Sequence, residues 1–366
     1  MKKIKVAIIM NIPAPYRVSF FEYLRKQYTD YDFYNIYASE TEDNRKWEVK
    51  VNDNTFFLKS KTIKFRQRGD YKYIHIPINI ISVLKKIKPD VIVASEYSPT
   101  ILQAYLFAKI HKIKFVSWTD GTLYSERHIN LAQKISRKLI ISGANSYIAS
   151  STKSFEAQLA YGAKRDKMHK SLLTVDINKY LAKKDNYGTG NLLFVGQLIE
   201  RKGLDILINS LTKIKNVNYH LYIVGAGPEE HKLKEQVRLA NLEEHISFEG
   251  FKESNELNYY YNISDIFVLP TREDCFGLVI LEAMCHSLPV ISSQYADGAF
   301  DLIVDGESGY IFDLNKQEDL VNILEKLLIN SNLLKNMGCS AYEKSLEFSF
   351  EKVAVGYINA IVNLTI

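Results

Sequence analysis

The residues that could do chemistry in this sequence lie just after short apolar runs. Gly196-Gln-Leu-Ile-Glu-Arg201-Lys202-Gly203 follows one run and opens a helical pattern near Gly203. Cations at a helix N-terminus oppose the helix dipole, and an anion held between them and the helix end reverses that penalty. The spacing is not that of a P-loop, and taken alone the segment also reads as an exposed basic turn. A second run leads into Pro270-Thr-Arg-Glu273-Asp274-Cys-Phe276-Gly277-Leu278, with Glu282 eight residues beyond Asp274. A helix starting near Gly277 leaves the amides of Phe276, Gly277 and Leu278 free for a phosphate. Asp274 can reach a sugar hydroxyl or serve as an N-cap. Glu282 can accept from a ribose diol; it falls in the apolar run 278–284, where a carboxylate without a partner is costly.

Other loops are less specific. Val224-Gly225-Ala-Gly227-Pro228 contains a GxG without the rest of a dinucleotide loop, and Ala296-Asp297-Gly298 reads as a turn that could line a site. Near the N-terminus, Asn11-Ile-Pro13-Ala-Pro15-Tyr16-Arg17 reads as a stiff loop rather than helix, able to present Tyr16 and Arg17. Asp120 in Trp118-Thr-Asp120-Gly121 is a candidate catalytic carboxylate or an Asp-Gly turn. Asp30-Tyr-Asp32 resembles an Asp-x-Asp metal motif but lies at the entry of its strand rather than the exit, so it reads as turn residues and no metal site is expected.

The elements that must position these residues follow an α/β pattern. Strands are expected at 5–10, 31–37, 91–95, 114–118 and 146–149, and at 191–195, 220–224, 246–248, 266–269 and 289–292. Amphipathic stretches between them, such as 19–27, 203–212, 229–240 and 317–330, predict helices on the faces of parallel sheets. Two such series predict two doubly wound domains, 1–185 and 186–349, joined by the polar segment 176–190.

The chain has 366 residues, enough for two cores, with 46% hydrophobic and 24% charged residues. No run of about 18 apolar residues predicts a membrane span. The apolar run behind the basic N-terminus is too short for a signal peptide, so a cytoplasmic protein is expected. Three cysteines without a CxxC pair exclude a disulfide framework or zinc knuckle. Residues 1–185 hold 33 basic and 17 acidic side chains, the remainder 14 and 25. The basic half predicts an anionic partner, and its clusters include Lys59, Lys61, Lys64, Arg66, Arg68 and Lys72, then Lys134, Arg137 and Lys138. Nucleic acid, anionic lipid and a phosphorylated acceptor are all candidates; each Lys or Arg near an anionic leaflet contributes roughly 1 kcal/mol, so the clusters could hold the protein on a membrane without an anchor.

Taken in order, Arg201-Lys202-Gly203, Gly225-Ala-Gly227-Pro228, Gly250-Phe251 and Asp274-Cys-Phe-Gly-Leu-Val-Ile-Leu-Glu282 resemble glycosyltransferase family 4. The resemblance implies a GT-B fold, two Rossmann-like domains facing a cleft, with the last helix, 350–366, crossing back to the first domain. It implies a retaining, metal-independent transfer from a nucleotide-diphosphate sugar, with UDP favoured over GDP, to a lipid-linked or saccharide acceptor in capsule or O-antigen synthesis. Arg201 and Lys202 match the diphosphate-binding pair, and Glu282 matches the ribose-binding carboxylate. Asp274, with Glu273 beside it, takes the donor-sugar position where Glu is usual. Gly196, Gly225, Gly250 and Phe251 complete the implied donor site. Asn11, Tyr16, Arg17 and Glu96 are assigned to the acceptor side. Asp120 stands in for the family's histidine, and Ser150-Ser151 match loosely. The family's N-terminal glycine pair is replaced here by the proline loop. A sugar-nucleotide epimerase on the same fold, a Rossmann dehydrogenase and a non-enzymatic anionic-polymer-binding protein are the alternatives. The dehydrogenase lacks its GxGxxG, and nucleic-acid binding would leave Asp274 and Glu282 unexplained.

Overall fold

A computed structural model describes residues 2–43, 50–67, 70–215 and 217–364. Arg68 of the basic run lies outside them. The chain forms two compact units, Met1–Asp176 with Phe350–Ile366, and Ile177–Ser349.

The first unit is built on a seven-stranded parallel sheet in the order β3-β2-β1-β6-β7-β8-β9. Its strands are β1 (Ile4–Met10), β2 (Tyr31–Tyr37), β3 (Thr55–Phe57), β6 (Val91–Ser95), β7 (Lys114–Thr119), β8 (Ser146–Ala149) and β9 (Met168–Lys170). The remaining two, β4 (Ser60–Gln67) and β5 (Asp70–Pro77), form a separate antiparallel hairpin. Alternate residues of β1 feed opposite faces, as the strand pleat requires. Val6, Ile8 and Met10 pack with Phe20, Phe21 and Leu24 of helix Pro15–Gln27 and with Ala354, Tyr357 and Ile361 of the C-terminal helix Phe350–Val362. Ala7 and Ile9 pack with Ile80 and Leu84 and with Ile101 and Ala104 on the other face. Each large apolar side chain so buried contributes roughly 1.5–3 kcal/mol. The same two-sided burial makes the strands legible as apolar runs.

The second unit has a six-stranded parallel sheet in the order β12-β11-β10-β13-β14-β15. These are β10 (Asn191–Val195), β11 (His220–Val224), β12 (Ile246–Gly250), β13 (Ile266–Leu269), β14 (Val290–Ser293) and β15 (Gly309–Phe312). Most of the polar segment expected as a linker belongs to this unit. The buried Asp265 carboxylate gathers it by accepting from Lys184 Nζ at 2.9 Å, Thr189 Oγ1 at 2.7 Å and the Gly190 amide at 2.9 Å.

Candidate active site

In the second unit the loops after β10, β11, β12 and β13 are fastened to one another. The Gly225 amide donates to the Gly250 carbonyl at 2.8 Å, and the Gly196 amide to the Val224 carbonyl at 3.0 Å. Gly225 has φ 145°, and a Cβ there would lie 1.8 Å from the Gly196 oxygen, so no larger residue fits. Arg201 and Lys202 sit on a single 3-10 turn, Glu200–Lys202. Gly203 ends that turn in the left-handed region (φ 69°), where a Cβ would meet the Pro270 oxygen at 2.0 Å. Helix Leu204–Leu211 follows. The turn is fastened to the loop after β13, because the Arg201 carbonyl accepts from the Arg272 amide at 2.8 Å and from Thr271 Oγ1 at 3.0 Å.

This places the two sequence segments together. Arg201 Nη1 donates to the Glu273 carbonyl at 2.7 Å, and Lys202 Nζ to Asp274 Oδ2 at 2.5 Å. The dipole penalty expected of Arg201 and Lys202 is thus already offset by protein acceptors. Burial pushes the Asp274 pKa up, but the charges of Lys202 and Arg201 outweigh it and hold the carboxyl below its ordinary range. The Asp274 backbone is held on both sides, donating to Tyr295 O and accepting from the Asp297 amide. Phe276 is buried, and its amide, expected to be free for a phosphate, already donates to Asp274 Oδ1 at 3.4 Å; Gly277 caps helix Leu278–Cys285. Gly250 ends β12 and leads to Phe251, which is exposed.

Glu282 lies on that helix with a partner that the sequence does not mark. The hydroxyl of Tyr261, a fully buried residue, donates to Glu282 Oε2 at 2.9 Å. The Tyr261 ring stacks on His286, 4.8 Å between centroids, and His286 Nδ1 lies 2.9 Å from the Glu282 carbonyl oxygen. Burial pushes Glu282 up to about 7, with the Tyr261 hydrogen bond acting against the rise. Tyr261 is one of three consecutive tyrosines, 259–261, and only packing distinguishes it from the others.

The first unit has its own constellation at the carboxyl ends of its strands. The expected loop through Arg17 is shorter, because Pro15 occupies the first turn of helix Pro15–Gln27, where its missing amide is tolerated. Tyr16 is half-buried in this turn. Arg17 is buried rather than presented: its Nη2 donates to both Asp120 oxygens, at 2.6 and 2.7 Å, and the guanidinium lies 3.9 Å from the Trp118 ring centroid. Burial works against the Arg17 charge, and Asp120 outweighs it, leaving the pKa raised. Asp120 also accepts from Ser150 Oγ at 2.5 Å, and Ser150 in turn accepts from Trp118 Nε1 at 2.9 Å. Asp120 is therefore tied into a buried network, although part of its side chain meets solvent.

Asn11 Nδ2 donates to Glu96 Oε2. Glu96 is a non-glycine residue at φ 72°, held there by the hydrogen bond its amide donates to the Trp118 carbonyl at 3.0 Å. The residue presents surface to solvent, yet protein crowds its carboxyl. That desolvation first, then the like charges of Asp120 and Glu42, push it up to about 7. Glu42 Oε1 lies 3.2 Å from His75 Nε2, and neither was singled out in the sequence.

Residues 176–344 match the family described as glycosyl transferases group 1. An uncharacterized glycosyltransferase of Methanocaldococcus jannaschii is 33% identical over 164 residues, 45% of each chain. The capsular polysaccharide biosynthesis glycosyltransferase CapM of Staphylococcus aureus is 30% identical over 156 residues, 42% of this chain and 40% of its own. The chain spans about half the length of the curated relatives it matches. Among solved structures, Anabaena HepE in complex with UDP superposes with a TM-score of 0.78 at 16% identity, over 99% of this chain and all of its own. The chain thus has the GT-B fold, two Rossmann-like α/β domains, and its residues 176–344 match glycosyl transferases group 1.

Proposed function

We propose that this chain is a retaining glycosyltransferase of the family 4 type. It transfers a sugar from a nucleotide-diphosphate donor, UDP in preference to GDP, to a lipid-linked or saccharide acceptor of a cell-surface polysaccharide. The observation that carries this reading is the joining of Arg201 to Glu273 and Lys202 to Asp274 across two strand-end loops of one unit, with Glu282 on the helix that follows the second loop. The relatives involved in polysaccharide synthesis and the UDP-bound neighbour support it.

In this reading the diphosphate takes the place of the protein acceptors now on Arg201 and Lys202. The two cations and the helix amides stabilise charge developing on the leaving phosphate, which needs no metal ion. Glu282 accepts from the ribose hydroxyls through the oxygen that Tyr261 does not hold. Asp274, freed from Lys202, turns to the donor sugar. The acceptor hydroxyl attacks the anomeric carbon on the face from which the phosphate departs. Its proton passes to that phosphate as the glycosidic bond forms. Asn11, Tyr16 and Glu96 serve the acceptor, while Arg17 and Asp120 hold the first unit's strand ends in place. The protein works in the cytoplasm, peripheral on the inner membrane face; among the described residues no helix is long and apolar enough to cross a membrane.

Thermal stability against UDP, GDP, their sugar conjugates, NAD and single-stranded DNA, with and without EDTA, tests the reading. Ligand at about 100 times Kd adds about 2.7 kcal/mol. A UDP shift that survives EDTA and disappears in Arg201→Ala is the expected result. Stabilisation by NAD or DNA alone overturns it.

A further inference from the structure

The first unit carries an apolar face on helix Leu131–Gly143 that the described residues leave exposed. Leu131, Ile135 and Leu139 recur every four residues and are 72%, 58% and 46% exposed. The opposite side of the helix does the packing, through Ile140 and Ile141. The exposed side chains therefore form one solvent-facing stripe. Lys134 and Lys138, also exposed, run along one edge of it. The third cation, Arg137, is turned inward onto Glu126 at 2.8 Å.

The neighbouring helix Pro99–Ile110 joins this helix through Lys109 Nζ, which donates to the Gly143 carbonyl at 2.5 Å. It adds exposed Leu106 and Ile110, 48% and 77%. Neither helix contains an acidic residue. An apolar stripe edged by lysines and free of carboxylates is complementary to a surface that is apolar below and anionic above. A soluble saccharide offers no apolar layer, and a second copy of the same stripe would bring lysine against lysine.

We propose that helix Leu131–Gly143 lies in the plane of an anionic bilayer, with Leu131, Ile135 and Leu139 among the acyl chains and Lys134 and Lys138 at the phosphates. The choice of a bilayer rests on the proposed membrane-bound acceptor; the face itself does not. Docking here would hold the first unit at the surface from which a lipid-linked acceptor presents its saccharide.

Co-sedimentation of the full chain with vesicles tests this, using phosphatidylcholine alone and phosphatidylcholine with an equal part of phosphatidylglycerol. UDP binding and solution mass are measured on the same samples. The wild type should bind the mixed vesicles at least tenfold better than the neutral ones. Leu131→Ser/Ile135→Ser/Leu139→Ser should abolish binding. Lys134→Gln/Lys138→Gln should reduce it about 25-fold, at roughly fivefold per lysine. All five positions being exposed, both variants should keep wild-type UDP affinity and melting temperature. Equal binding to both vesicles, or wild-type binding by the triple variant, overturns the proposal. A dimeric wild type that the triple variant makes monomeric, with vesicle binding unchanged, assigns the stripe to a second copy instead. Vesicle binding without any nucleotide binding would leave this face standing and overturn the proposed function.

Discussion

Lys202 and Asp274 stand 72 residues apart in the chain and 2.5 Å apart in space. The pair joins the loop after β10 to the loop after β13, the two segments on which a diphosphate and a donor sugar would converge. Both side chains are largely shielded, at 14% and 16% exposure. Lys202→Met leaves the carboxylate without its main partner and should cost about 3 kcal/mol, read as a fall in melting temperature. Asp274→Asn preserves shape and should cost less. Asp274 has a folded pKa below its unfolded value, so its contribution is present above pH 4 and is lost as pH falls through the folded pKa. The stability gap between wild type and Asp274→Asn should therefore be full at pH 6 and close in acid. A gap unchanged at pH 2.5 would show that the pair does not stabilise the fold.

Tyr261 holds one oxygen of Glu282. Tyr261→Phe removes a hydrogen bond to a charged group, about 1.5 kcal/mol or roughly tenfold in nucleotide affinity. The bond lowers the Glu282 pKa, so the variant's carboxyl is more protonated at pH 7. Affinity should recover in part at pH 8.5, where the carboxylate is restored. Titration calorimetry at the two pH values measures this; an affinity loss identical at both would mean that Tyr261 acts through packing alone.

Glu282 itself should weaken the empty protein. Its folded pKa, about 7, lies above the unfolded value of 4.5, so ionisation favours unfolding as pH rises between them. Glu282→Gln without ligand should match wild type near pH 4 and exceed it at pH 8 by about 3 kcal/mol. The same variant should lose nucleotide binding. Equal unfolding midpoints in urea at pH 8 would contradict the first half of this expectation.

Arg17 and Asp120 form the corresponding pair of the first unit. Asp120→Asn leaves a buried guanidinium without its counter-charge and should cost about 3 kcal/mol. Arg17→Met/Asp120→Asn should cost less than the two single substitutions added together. Additive losses in the double-mutant cycle would mean the residues are not energetically coupled. Turnover by folded Asp120→Asn within tenfold of wild type would support a positioning role rather than proton transfer.

Gly203→Ala should prove among the most damaging small changes. Its Cβ would lie 2.0 Å from the Pro270 oxygen at a φ of 69°. We expect a loss of about 2 kcal/mol or more, with UDP affinity falling because the Arg201-Lys202 turn shifts. An unchanged melting curve would show that the turn can relax.

Much of this protein could be read without coordinates, for a physical reason. Parallel strands buried on both faces must be continuous apolar runs, so most strands of both sheets were visible in sequence. Side chains gathered at strand ends must follow those runs, and Arg201, Lys202 and Asp274, which the fold brings together, do so. The hairpin of β4 and β5 was not visible: its alternating lysines and aromatics read only as a charged patch, because its stabilising partners are cross-strand neighbours. Nor was the burial of Arg17, whose carboxylate partner lies 103 residues away, or the selection of Tyr261 from three adjacent tyrosines. Local pattern determines which residues enter a strand, a turn or a helix end. Which side chains then meet depends on how distant elements pack, and only the tertiary structure decided that.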